Sequence, residues 1–111
     1  MYYNLFFQLF MKKLLNMVAS RSQGMEWNIE MLSDDREFMV SAFEALNYCE
    51  YLCMGINQGV FSEKVIKSVY GTHIVIILTH FQRVIKESRY SSNAPDSFRY
   101  LTLIGEEWRV W

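Results

Sequence analysis

Four side chains in this sequence could hold a soft metal: Cys49, Cys53, His73 and His80. Tetrahedral zinc needs four such ligands converging on one point. Here the two thiols lie one helical turn apart and the two imidazoles two turns apart, which is not a familiar zinc arrangement. Thiols on successive turns of a helix also lack the geometry of a disulfide. They read as buried, reduced core residues, consistent with a cytoplasmic protein. No metal and no cofactor is expected.

His73, Ile76, His80, Arg83 and Glu87 follow one another along one side of a helix, and such a stripe could perform acid–base chemistry. A solvated helix face has the same pattern, and neither histidine has a neighbour in sequence that would tune it. No catalytic residue is assigned. Asn47 and Glu50 are different, because Phe43 and Met54 flank them at helical spacing. A carboxylate and an amide within an apolar stripe need partners. The expectation is a polar clasp fixing helix register, with Glu50 meeting Arg83 or Arg89.

The elements that carry these residues read as helices. A first helix is expected from Tyr3 to Ser20, with Leu5, Leu9, Met11, Leu15 and Val18 on a stripe broadened by Phe6, Phe7 and Phe10. A helix so apolar should be buried on more than one side. Gly24 can close it, and Met25 to Leu32 can form a short helical turn carrying Trp27 inward. Asp34 precedes Glu37 by the spacing of a capping box, which predicts a helix running through Phe38, Ala42, Leu46, Cys49, Cys53 and Ile56 to a cap at Gly59. Ser62 can start the next segment, Gly71 suggests a bend, and a long helix follows on Ile74, Ile77, Leu78, Phe81, Val84 and Ile85. Pro95 suits the first position of a last helix, on which Phe98, Leu101, Ile104, Trp108 and Trp111 share a face and Gly105 admits a close neighbour. The fold class is all-α, a compact bundle of four to five helices forming one domain over residues 1–111.

Composition narrows the function. The chain has 111 residues, of which 51% are hydrophobic, so it is neither disordered nor too small to bury a core. A net charge of −1 gives no reason to seek nucleic acid. Charge is nevertheless segregated. Acids dominate from Glu26 to Glu63, opposed by Arg36 alone, and bases dominate from Lys64 to Arg89, opposed by Glu87 alone. An acidic helix packed beside a basic one explains this; an acidic decoy for a basic partner is the sharper alternative. The opening run Met1–Met11 is apolar, but it has no preceding basic residues and is too short to span a bilayer.

Eight phenylalanines, seven tyrosines and three tryptophans are the positive signal. A bundle of this size cannot enclose them all, and tyrosine and tryptophan are favoured at interfaces. Tyr2, Tyr3, Tyr48, Tyr51, Tyr70, Tyr90, Tyr100 and Trp111 are the candidate contact residues.

One segment resembles a known family. Leu46-Asn-Tyr-Cys-Glu-Tyr-Leu-Cys-Met-Gly-Ile-Asn-Gln-Gly-Val60 carries the Leu-Asn-x-x-Glu and Gly-Ile-x-x-Gly patterns of the bacterial domain of unknown function 4760 family. Tyr70-Gly71, Arg89 and the closing Glu106 to Trp108 are similar too, so the resemblance spans residues 30 to 111. It implies a helical fold and no assigned activity. Members often follow membrane-spanning helices; here the short apolar stretch Met1 to Met11 stands in front.

The resulting expectation is a non-enzymatic protein-interaction module, an inhibitor or adaptor that binds a larger assembly or a second copy of itself. A phage or mobile-element protein that blocks a host defence complex fits that description. The alternatives are a small-ligand or metal sensor built on Asn47, Glu50, His73 and His80, and a peripheral membrane domain anchored by Met1 to Met11.

Overall fold

A computed structural model of the chain describes residue 9 and residues 11–16 and 27–109. It is an all-α bundle, with no strand among the described residues. Helix α1 is described over residues 11–16. There Met11 and Leu14 are buried while Lys12, Lys13 and Asn16 face solvent, so this part of the helix is buried on one side only. Leu9, expected on the buried stripe, is 60% exposed. The expected stretches Tyr3–Phe7 and Met17–Ser20, with Phe10 and the Gly24 cap, lie outside the described residues, as do Tyr2, Tyr3 and Trp111.

Trp27 turns inward as its sequence context suggested, and its ring sits 4.6 Å from that of Phe38. Helix α2, Ile29–Ser33, starts at Asn28, whose side chain accepts from the Met31 N–H at 2.8 Å. A second acceptor comes from far away in sequence: Glu87 Oε1 takes the Ile29 N–H at 3.0 Å.

Helix α3, Arg36–Asn57, begins one residue later than the expected capping box. Asp35 is its cap and accepts from Phe38 N–H at 3.1 Å. Asp34 instead closes α2, its own N–H donating to Met31 O. With two adjacent aspartates, the short helix in front takes the first and leaves the second for α3. Glu37 is then free to pair across the surface with Lys13 at 3.6 Å.

The end of α3 is a double closure: Gly59 N–H donates to Ile56 O and Val60 N–H reaches back to Gly55 O at 2.8 Å. This requires a left-handed residue, and Gly59 supplies it at φ +76°. No atom crowds the space where a Cβ would stand, so Gly59→Ala isolates the backbone term. It is expected to lower stability by about 1–2 kcal/mol in urea denaturation.

Helix α4, Glu63–Ser91, is capped by Ser62 and runs unbroken through Gly71. The expected bend is absent. One interior glycine costs about 1 kcal/mol of helix propensity, which the long buried stripe from Ile66 to Ile85 outweighs. The α4 C-terminus repeats the α3 closure with Asn93 at φ 50° in the glycine position. Pro95 does not open the last helix. It occupies the second position of a turn closed by Ser97 N–H to Ala94 O, where a fixed φ is equally suitable.

Helix α5, Arg99–Trp108, lies against both α3 and α4 and buries Leu101, Ile104, Gly105 and Trp108. Gly105 makes the expected close approach: a Cβ there would stand 2.6 Å from Leu78 Cδ2. Among the described residues no ion pair joins the acids of α3 to the bases of α4. The two charged helices share their contact with the largely apolar α5.

Candidate interaction surface

The start of α5 shows what the expected polar clasp does. Its N-cap residue, Phe98, is in the left-handed region at φ 57° and offers no side-chain cap. Free N–H groups at a helix start need acceptors, and the helix dipole there favours a negative charge. Glu50 on α3 meets both needs, accepting from Leu101 N–H at 2.7 Å and Tyr100 N–H at 3.3 Å. Arg89 holds the same junction from α4, donating to Ser97 O at 2.7 Å and to the Thr102 hydroxyl at 3.0 Å. Glu50 and Arg89 thus clasp the α5 entry through its backbone rather than through each other. Asn47 and Arg83 take no part, because both are exposed. Sequence spacing marks Glu50 as needing a partner, but a backbone amide fifty residues away has no signature.

The cysteines are free and fully buried. Burial, and then Cys53 beside it, pushes the Cys49 thiol well above the ordinary 9.0. Burial, and then Glu50, pushes Cys53 up to about 12. The neutral thiol is therefore the folded form. Its contribution to stability is complete below pH 9, where the unfolded thiols begin to ionise, and falls as pH rises toward 12. Labelling with a thiol reagent at pH 8 should be slow in the native protein and fast for both cysteines in denaturant. Rapid native labelling would show that the α3 core opens readily.

No group of three or more His, Cys, Asp or Glu side chains placed to hold a metal occurs among the described residues. His73 and His80 are half-buried, and the His80 carbonyl accepts the Trp27 N–H at 3.0 Å. The carboxylate of the histidine stripe, Glu87, is taken up by the start of α2, where it accepts the Ile29 N–H beside the Asn28 cap.

Of the candidate contact tyrosines, Tyr70 is only 2% exposed and belongs to the core, since it sits on the inner stripe of α4 beside Ile66, Ile74 and Ile77. Tyr90 is 91% exposed at the end of α4. Tyr100 is half-buried, with the Arg99 guanidinium 5.6 Å from its ring centre. Tyr48 and Tyr51 form a cluster. Tyr51, 52% exposed, meets Tyr48 edge-on at 6.1 Å and Phe61 edge-on at 5.5 Å. Burial, and then Tyr51, raises the Tyr48 hydroxyl above its ordinary value and keeps it a neutral donor. Met54 and Val60 are exposed on the same α3–α4 junction.

Phe61, Met54 and Val60 were not among the sequence candidates. The available signal was Gly55, a glycine inside a helix. A Cβ there would collide with the Phe61 ring, so glycine is what lets Phe61 lie on α3. Gly55 and Gly59 together place the Tyr48–Tyr51–Phe61 cluster: one admits the ring and the other turns the chain back toward it.

A helical bundle with an aromatic junction and a clasped last helix is the class of protein these features define. The chain belongs to the family described as domain of unknown function (DUF4760), which it matches over residues 6–108. The match takes in the α1 region as well as the span from residue 30 where the sequence motifs lie. No curated protein and no solved structure matches the chain. In structural terms the family-like residues do distinct things: Glu50 and Arg89 hold α5, Gly55 and Gly59 shape the α3–α4 turn, and Trp108 closes α5 on the core.

Proposed function

We propose that the protein is a non-enzymatic interaction module that binds a larger protein through the aromatic junction between α3 and α4, as an inhibitor or adaptor. The observation that carries this reading is the ordered Tyr48–Tyr51–Phe61 cluster, with Tyr51 half in solvent beside exposed Met54 and Val60. Such rings present large contact area with few rotatable bonds, and packing against one another lowers the ordering cost of binding. Exposed Glu44 on α3 and Glu63 at the start of α4 suit a partner whose rim is basic. A setting compatible with this reading is the cytoplasm, with the target a host defence complex countered by a phage or mobile element.

The test is affinity capture with the tagged chain from the organism or host that expresses it, comparing wild type with Tyr51→Ala and Val60→Asp. A stoichiometric partner should be retained by wild type and reduced at least about tenfold by either variant, the loss expected of one interface anchor. Circular dichroism should show the variants folded. Equal capture by both variants would overturn the assignment of this surface. A wild-type chain that captures nothing and stays monomeric would overturn the module itself.

A further inference from the structure

Gly71 makes no close approach to another described element. It lies near the middle of the first half of α4, where glycine is disfavoured relative to alanine, and it has no left-handed φ. Gly55 and Gly105 each yield their Cβ position to a side chain from elsewhere, Phe61 and Leu78. At Gly71 the only atoms of described residues within 4 Å of that position belong to Lys67 on the same helix, Cγ at 3.2 Å and Cβ at 3.9 Å. Among the described residues no other element enters the space that this buried glycine leaves.

Gly71 lines an open surface trough of about 360 Å³, together with Lys67, Thr72, Val75, Ile76 and Trp108. Small-molecule sites begin at about 300 Å³. Lys67, Gly71 and Val75 follow one another at four-residue steps, so they form a row along α4 about 12 Å long, the length of an extended chain of about ten carbons. Val75, Ile76 and the Trp108 ring make the walls apolar. The one cation is Lys67, whose ammonium stands 5.9 Å from the centre of the Trp108 ring and has no ion-pair partner among the described residues.

We infer that this trough is a binding site for a small amphiphilic carboxylate of medium chain length. The acyl chain lies along Gly71 and Val75 against Trp108, and the carboxylate meets the Lys67 ammonium; Thr72 lines the same trough. One cation at the end of an apolar trough selects a single negative charge on an apolar body. A phosphate or polyanion would need more donors than the site has, and a neutral molecule would leave Lys67 unused. The site is separate from the Tyr51 surface and does not depend on that assignment.

The full-length chain would be titrated with decanoate below its micelle concentration, followed by calorimetry, with decanol and decyltrimethylammonium as comparisons. Decanoate should bind once per chain and about tenfold more tightly than decanol, the difference expected of one charge-assisted contact. Lys67→Gln should bring decanoate down to the level of decanol and leave decanol unchanged. Gly71→Leu, which fills the trough while favouring the helix, should abolish binding with the melting temperature equal to wild type or higher. Tyr51→Ala should bind decanoate normally. The inference falls if wild type takes up no decanoate, if the cationic amphiphile binds as well as the anionic one, or if a folded Gly71→Leu variant binds as tightly as wild type.

Discussion

Replacing Glu50 by alanine is expected to destabilise the protein by about 2 kcal/mol in urea denaturation, with the loss concentrated at α5. Helix-capping side chains contribute about 0.5–2 kcal/mol, and a charged acceptor lies at the top of that range or slightly above it. Glu50 accepts from two free N–H groups at a positive helix end, one of them at a short 2.7 Å. Phe98, immediately before, sits at φ 57°, a strained conformation for an aromatic residue that the junction must hold in place. Glu50→Gln keeps an acceptor but loses the charge, so about half of the destabilisation should remain. Glu44→Ala, on the exposed face of the same helix, should change stability by less than about 0.5 kcal/mol. Hydrogen exchange should report faster opening of the Tyr100 and Leu101 amides in Glu50→Ala while the α3 core keeps its protection. A loss below about 0.5 kcal/mol, with unchanged exchange at those two amides, would show that α5 stands without the clasp.

The largest expected effect is at Phe38. Its ring is fully buried, 4.6 Å from Trp27 and 5.9 Å from Phe81, and it joins the segment before α2 to the middle of α4. Phe38→Ala should cost about 3–5 kcal/mol, through lost burial and the cavity left behind. Domain stabilities lie at about 5–15 kcal/mol, so this variant should be close to unfolding at 37 °C. Phe38→Leu keeps most of the volume and should cost about 1–1.5 kcal/mol, which keeps the prediction measurable if the alanine variant does not fold. Near-ultraviolet circular dichroism should weaken in Phe38→Leu as Trp27 loses its ring neighbour. An alanine variant within about 1 kcal/mol of wild type would mean that the Trp27–Phe38–Phe81 stack is not the centre of the core.

The surface and the clasp were legible in the sequence to different depths. Glu50 was recognisable as a carboxylate needing a partner because it falls inside an apolar stripe, and Tyr51 was recognisable as a contact candidate by type. The partner of Glu50 was not recognisable, since any arginine on a neighbouring helix satisfies the same expectation as a backbone amide. Tyr70 shows the reverse. Its type suggests an interface, but its spacing with Ile66, Ile74 and Ile77 puts it inside. The cap of α3 moved by one residue because Asp34 and Asp35 are chemically equivalent and only the length of α2 decides between them.

Sequence alone determined that this protein is a helical bundle with buried cysteines on the inner face of its second long apolar stretch. Periodicity, caps and terminating glycines are local, and local signals survive without knowing what packs where. The tertiary structure decided which polar groups meet and what each glycine is for. Glu50 and Glu87 accept from the starts of helices distant in sequence, Gly55 yields to Phe61, Gly105 yields to Leu78, and Gly71 yields to no other element among the described residues. Except for Gly55 and Phe61, which face each other across the α3–α4 turn, those assignments depend on contacts between residues far apart in sequence, which the order of residues constrains only through the fold. The cysteines and histidines that first suggested a site prove to be core thiols and half-buried imidazoles. The surfaces proposed for recognition lie elsewhere, at Tyr51 and its neighbours and at the trough beside Lys67.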